Sequence, residues 1–454
     1  MNKRKVVGWS LIVAIGGFLF GFDTAVISGA EKSIQLYWQL NSFEHGLTVS
    51  IALIGTIIGA LTGSYPSDLV GRKKTLYLIA ALYLVSSIGT ALSSNWFLFL
   101  AFRFLGGIGV GASSITAPVY ISEIAPARSR GSLVALFQFN IVFGILISYF
   151  SNYLIGESTE TSWRWMLGIQ AVPAVLFLVL LRWIPETPRW LSLRKGRLEE
   201  ARAILKIINP AGYETDLQNI LDDNLRKPEA VQPGTGQAEG RQRAGSLFNK
   251  NYRFSAMLAI LFAFFNQVSG INAIIYYAPR IFEMAGLGSK SSLLSTAGIG
   301  LVNFLFTLLA MRFIDKIGRR TLMLIGSFGL ILSLALVSRS FFSGRLNGNA
   351  VTAYLLVYIA FFAFSQGAVI WVFISEIFPN QVRARGQTLG SVTHWVMAAI
   401  IAFSFPSLAE FFGGGMTFLF FAVMMVLQLV FVWRLMPETK GKSLEQIERV
   451  VIMH

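Results

Sequence analysis

The sequence predicts an all-α membrane protein in which twelve transmembrane helices form two six-helix halves, joined by a helical linker on the cytoplasmic side. Three observations predict it. Of 454 residues, 13% are charged and 54% hydrophobic, whereas a water-soluble domain carries about a quarter charged. Long apolar runs recur along the whole chain, interrupted by one polar stretch near its middle. Three different motifs each return once, at nearly one offset.

Crossing about 30 Å of hydrocarbon takes roughly 20 residues of apolar helix. Runs of that size lie at about 7–30, 46–68, 75–93, 96–122, 131–153, 164–184, 253–282, 292–314, 320–341, 350–377, 387–408 and 415–435, numbered here as segments 1 to 12. Their continuous apolar character excludes a β-barrel, whose strands alternate over about ten residues. Lys and Arg mark every second connection: Lys3, Arg4 and Lys5, then Arg72-Lys73-Lys74, Arg128 with Arg130, Lys316 to Arg320, and Arg383 with Arg385. Short basic loops stay in the cytoplasm. The alternate loops are balanced, as with Glu31, Lys32 and Glu44 or Glu157, Glu160 and Arg164. Both termini are therefore expected in the cytoplasm, and the short loops suggest a bacterial inner membrane. Segment 1 contains Asp23 and no convincing small-residue cleavage site, so a retained span is expected rather than a removable signal.

Residues 185–250 break the pattern. Leu198, Ala201, Ile204, Leu205 and Ile208 fall at helical spacing and predict one or two amphipathic helices between 196 and 226. The Pro, Gly and Gln of 232–240 cannot build a core. The expected divisions are thus 1–184, 185–250, 251–436 and a tail from 437 to 454.

The halves read as copies. Asp68 with Gly71-Arg72 returns as Asp315 with Gly318-Arg319, Glu123 with Pro126 and Arg130 returns as Glu376 with Pro379 and Arg385, and Pro185-Glu186-Thr187 returns as Pro437-Glu438-Thr439. The three offsets are 315 − 68 = 247, 376 − 123 = 253 and 437 − 185 = 252. A duplicated unit places a polar site between its halves at mid-depth.

A net charge of +15 points to nucleic acid in a soluble domain. Here the basic residues sit in short loops where they set topology, so no nucleic-acid partner is expected. With no Cys, disulfides and thiolate chemistry are excluded, and three His at 45, 394 and 454 make a metal centre or other cofactor an unlooked-for feature. An enzyme would need clustered nucleophiles or acid–base groups. The polar residues inside the apolar runs are instead mostly isolated amides.

The ordered set Gly17-Phe-Leu-Phe-Gly-Phe-Asp23-Thr, Arg103-Phe-Leu-Gly-Gly-Ile-Gly-Val-Gly111, Pro185-Glu-Thr-Pro-Arg189, Asn266-Gln267-Val-Ser-Gly-Ile-Asn272 with Tyr276-Tyr277, and Pro437-Glu-Thr-Lys-Gly441 resembles the sugar porter family of the major facilitator superfamily. The resemblance spans nearly the whole chain. It implies alternating-access transport of a monosaccharide by a single chain in the bilayer, and, through the context of Asp23, symport with H⁺.

Asp23 and Arg103 lie within apolar segments 1 and 4, where an ionised side chain needs a partner or a proton. If they meet, protonating Asp23 releases Arg103 and loosens the pair. The competing reading is a permanent salt bridge that only joins two helices. Sugar hydroxyls donate and accept, so a sugar site needs amides together with flat apolar faces. Gln138, Asn266, Gln267, Asn272 and Asn303 are uncharged amides in apolar segments. Gln267 and Asn272 are five apart and share no narrow stripe of a regular helix, so Ser269-Gly270 is the expected place for a break. Alternatively, each amide cements helix packing.

The resemblance places Gln138, Gln267, Asn272 and Asn303 on sugar-contacting positions and Trp371 on a sugar-stacking one. Asn266 is one methylene shorter than the Gln common there, and Ala368 replaces a common Pro. His394 and Trp395 stand where an amide and a Trp are usual, so His394 is expected to hydrogen-bond sugar as a neutral imidazole or to line the pore. Phe20, one turn before Asp23, is expected to close the apolar side.

Arg72, Glu123, Arg130, Glu186 and Arg189 mirror Arg319, Glu376, Arg385 and Glu438. By resemblance they form a cytoplasmic salt-bridge network that clamps the halves when the cavity faces outward. Remaining alternatives are a facilitative uniporter and a sugar sensor that does not translocate, although both tails are short. Hexose and pentose differ by one hydroxymethyl group; a hexose is the expected cargo.

Overall fold

The computed structural model describes residues 3–126, 129–156, 159–194, 196–225, 247, 252–344, 347–379 and 382–441. Among them every regular element is a helix. Segments 1 to 5 are Lys3–Trp38, Ser42–Thr62, Arg72–Leu92, Trp96–Ile124 and Arg130–Ile155. Segment 6 is Ser162–Gly168 continued by Ala171–Leu180. Segment 7 is divided into Arg253–Val268 and Ile271–Met284, and segment 10 into Gly348–Phe364 and Gln366–Glu376. Ser289–Ile317 and Arg319–Phe342 are segments 8 and 9. Among the described residues, eleven helices are long and apolar enough to cross a bilayer. The last of them, Arg383–Leu435, has 53 residues and at about 1.5 Å per residue would overrun the hydrocarbon more than twice. It is broken at Gly413, with φ 72° and ψ 165°, and so supplies segments 11 and 12.

Segment 1 runs eight residues past its expected end at 30. Glu31 and Lys32, read from the sequence as loop charges, are helical because other helices bring them partners. Arg128, the 232–240 run and the tail beyond 441 lie outside the described residues.

Hydrocarbon gives helices no hydrophobic drive to associate, so close backbone approach must hold them. The glycines after Arg103 allow it. A Cβ on Gly107 would stand 2.0 Å from the Ala52 carbonyl oxygen, and one on Gly59 2.2 Å from that of Ile108. Segments 2 and 4 can therefore touch only at these residues without side chains.

Between 196 and 226, where the sequence predicts one or two helices, the linker forms Leu198–Ile208 and Tyr213–Leu225, and a short helix Pro188–Arg194 precedes them. Pro188 is preset for a first helical turn, which starts the additional one directly after segment 6. Trp190, Leu191, Ala201, Leu205 and Leu217 share a small core. Trp190 Nε1 donates to the Asp68 carbonyl at 2.9 Å, fastening this core to the first half.

Candidate functional site

Segment 7 breaks where the sequence expects. Gly270 adopts φ 87°, ψ 9°, a left-handed conformation that glycine takes without steric cost. Tyr358 of segment 10 holds the break by donating its hydroxyl to the Ser269 carbonyl at 3.0 Å. The break lets three amides meet that a regular helix would point apart. Asn272 Nδ2 donates to Gln267 Oε1 at 2.6 Å, and Gln267 Nε2 donates to Asn266 Oδ1 at 2.8 Å and reaches His394 Nδ1 at 3.1 Å. Asn266 Nδ2 is buried with no hydrogen-bond partner among the described residues.

Aromatic rings border this cluster. Trp371 lies 4.8 Å from the His394 ring between centroids, Trp395 lies edge-on at 5.0 Å, and Phe20 from the other half reaches Trp395 at 5.8 Å. Trp371 keeps 37% of its surface exposed. Flat apolar faces and amides with mixed donor and acceptor character thus stand together between the halves.

Asp23 and Arg103 also meet. Arg103 Nη1 lies 3.0 Å from Asp23 Oδ1, with side chains 2% and 3% exposed, and Nη2 reaches the Asp23 carbonyl at 3.4 Å. Arg103 Nε is buried with no hydrogen-bond partner among the described residues. Asp23 and Phe20 are three apart on segment 1 and therefore neighbours on one face, which links the ion pair through Phe20 and Trp395 to the amide cluster.

At the end carrying Lys3 and Gly441, the two halves repeat one construction. Arg72 binds Asp68 at 3.1 Å and Glu123 at 3.1 Å; Arg319 binds Asp315 at 2.9 Å and Glu376 at 2.9 Å. The Glu of each Pro-Glu-Thr caps a helix. Glu186 accepts from the backbone N–H groups of Arg72 and Lys73, and Glu438 from those of Arg319 and Arg320. These are the first free N–H groups of segments 3 and 9, whose helix dipoles favour an anion there. Burial raises the Glu186 carboxyl above its ordinary range, while the N–H donors of Thr187, Lys73 and Arg72 restrain that rise. Gly71 and Gly318, at φ 105° and 100°, admit the carboxylates: a Cβ would stand 2.3 and 2.6 Å from their Oε2 atoms.

The ion pairs of Arg72 and Arg319 each stay within their own half. Glu123, Glu186, Glu376 and Glu438 are tied to Arg72 and Arg319 as the repeats suggest. Arg130 and Arg385 are exposed in the first turns of segments 5 and 11, and Arg189 is half-buried in the first linker helix. Gln138 and Asn303 are half-buried; neither is joined to the amide cluster by a hydrogen bond among the described residues.

The opposite end joins the halves. Lys32 pairs with Glu283 at 2.6 Å, Arg280 with Glu31 at 3.1 Å, and Ser42 hydrogen-bonds Glu410. Phe43 meets Phe403 edge-on at 5.1 Å. The two halves are therefore bonded to each other at this end. Sequence reasoning missed these residues. Arg280 inside apolar segment 7 was the available signal, of the same kind as Arg103.

A second buried amide set was also missed. Gln366 donates to Gln428 at 2.8 Å and Gln428 to Ser327 at 3.0 Å, cementing segments 9, 10 and 12.

Comparison with known proteins places this architecture. Residues 9–451 match the profile of the Sugar (and other) transporter family. The chain is 38% identical to the arabinose-proton symporter of Bacillus subtilis, covering 100% of this chain and 97% of that one. It is 34% identical to the D-xylose-proton symporter of Escherichia coli, over 98% and 96%. Its fold matches the inward open conformation of the xylose transporter XylE from E. coli with a TM-score of 0.83 at 32% identity, covering 97% and 98%. With its family profile, motifs and helical architecture in agreement, the chain is a multi-pass membrane protein and belongs to the sugar transporter family.

Proposed function

We propose that the protein is a proton-coupled monosaccharide symporter working by alternating access. The observation that carries this reading is the buried Asp23–Arg103 pair, one helical turn from Phe20, whose ring touches Trp395 beside the amide cluster. Gln267, Asn272 and His394 are assigned to sugar hydroxyls, Asn266 to positioning Gln267, and Trp371, Trp395 and Phe20 to the apolar faces of the ring. Gln138 and Asn303 complete the sugar site from the facing segments 5 and 8.

A proton on Asp23 removes the charge that offsets Arg103, and the desolvated guanidinium then loses its strongest attachment to segment 1. Segment 1 also carries Phe20, so the position of this helix couples proton binding to closure over the sugar. Arg72, Glu123, Arg130, Glu186 and Arg189, with Arg319, Glu376, Arg385 and Glu438, are assigned to the network that meets across the halves when their end closes.

The lysine- and arginine-rich end faces the cytoplasm in this reading, with both termini. The structure is then the inward-facing form. The relatives cited carry arabinose and xylose, which widens the cargo from the hexose expected from sequence to pentoses and hexoses alike.

The test is uptake into proteoliposomes with and without an imposed inward proton gradient, across arabinose, xylose, glucose, galactose and fructose. Wild type accumulates one of these sugars above equilibrium. Asp23→Asn retains sugar exchange and loses accumulation. Accumulation that survives this change would refute the coupling role and leave a uniporter.

A further inference from the structure

Glu31, His45 and Arg280 form a cluster that sugar and proton transport as described leave unused. Glu31 and His45 belong to the first half, with side chains 1% and 0% exposed, and Arg280 belongs to the second. Glu31 Oε1 accepts from Arg280 Nε at 3.1 Å, and Glu31 Oε2 lies 2.7 Å from His45 Nε2. Both of these atoms are buried, and neither completes an aligned hydrogen bond among the described residues. His45 Nδ1 is buried with no hydrogen-bond partner among the described residues.

The surrounding charged and titratable groups come from four helices. Lys32 on segment 1 is paired with Glu283, and Glu44 lies in the first turn of segment 2. Tyr277 on segment 7 places its ring 5.8 Å from the His45 ring, and Glu410 on segment 11 is bonded to Ser42. Lys32, Gln35, Ser42, Arg280, Glu283 and Glu410 line a cleft of about 410 Å³ at this end, giving the cluster a polar approach from outside.

Charge balance decides what the cluster does. In the closed arrangement Glu31 and Arg280 cancel, so a second cation on His45 would leave a net charge in a buried place, which is costly. Opening this end takes Arg280 away with its half, while Glu31 and His45 stay together in theirs. The carboxylate then lacks a counter-charge, and a proton on His45 restores neutrality. We infer that Glu31 and His45 form a second proton-binding site, on the outer side, which takes up one proton as the halves part there and releases it as Arg280 returns. It lies eight residues from Asp23 on segment 1, about 12 Å along the helix. External acid therefore favours the outward-open form. The inference rests on alternating access and on the orientation given above, and is independent of Asp23 as proton carrier.

The chain has no Cys, so Leu36→Cys and Phe411→Cys, both at exposed outer positions of opposite halves, can carry spin labels on the full-length protein in lipid nanodiscs. Dipolar distance distributions are recorded between pH 7.5 and 5.5 without sugar. One-proton linkage limits the change to about tenfold per pH unit, and the long-distance population is expected to rise about three- to tenfold on acidification. That rise persists in Asp23→Asn and disappears in His45→Gln. An equal rise in His45→Gln overturns the site. A separation that never lengthens, with or without sugar, overturns both the site and alternating access. Should His45→Gln fail to fold, Arg280→Gln reads the same chemistry through the imidazole ¹⁵N resonances, which three histidines keep resolvable. His45 is then expected to hold its proton to higher pH than in the unsubstituted protein, and an unchanged titration overturns the inference.

Discussion

Gln267 uses both amide hydrogens and its carbonyl on neighbours that the break at Gly270 brings within reach. Replacing it by Leu, of similar size, strands Asn266, Asn272 and His394 together. Each unpaired buried group costs about 1–3 kcal/mol, so Gln267→Leu should raise the sugar KM by about ten- to a hundredfold while the protein still folds. Initial-rate uptake measures it, and an unchanged KM would reduce these amides to packing. The amides themselves were legible as polar residues in apolar runs, and Gly270 marked where they could converge. The bond from Gln267 to His394 was not, because it spans 127 residues of chain. His45 was illegible for the same reason: it precedes an apolar run, and only packing against Glu31 and Tyr277 shows it buried.

Helix ends carry the second lesson. Gly71 is required twice, by its φ of 105° and by the Glu186 carboxylate where a Cβ would lie. Gly286 has φ 96° but open space around it. Both Gly71→Ala and Gly286→Ala pay about 1–3 kcal/mol for a positive-φ backbone, and Gly71→Ala should destabilise further by displacing the cap of segment 3. Thermal unfolding in detergent should therefore rank Gly71→Ala below Gly286→Ala, with equal midpoints counting against the cap. The sequence showed the repeated Pro-Glu-Thr and Gly-Arg motifs without showing that one caps the other. Segment 10 teaches the reverse. Ala368 stands where a Pro is common, yet the helix breaks three residues earlier, at Ser365, whose hydroxyl bonds the Phe361 carbonyl at 2.6 Å and competes with the helical ladder.

For the whole molecule, closure of one end depends on backbones meeting across the halves. A Cβ on Gly46 would stand 2.1 Å from the Phe403 carbonyl oxygen, so an indole there leaves no room for the closed form. Gly46→Trp should hold the protein open at that end, binding external sugar while uptake falls at least about a hundredfold, equivalent to about 2.7 kcal/mol against closure. Equilibrium binding in detergent beside proteoliposome uptake separates the two, and normal uptake would contradict the interface seen here. The ion pairs of Arg72 and Arg319 stay within their own halves, so they can remain intact as the halves move.

Hydropathy and the placement of Lys and Arg are properties of short stretches, so the twelve crossings, the expected orientation and the duplicated halves followed from the chain alone. A buried polar side chain is different, because it survives in hydrocarbon only through what another helix delivers. Glu31 and Arg280 are 249 residues apart, and no local pattern encodes their meeting. Which end is closed, and which polar groups share a site, were therefore decided by the packing of the two halves.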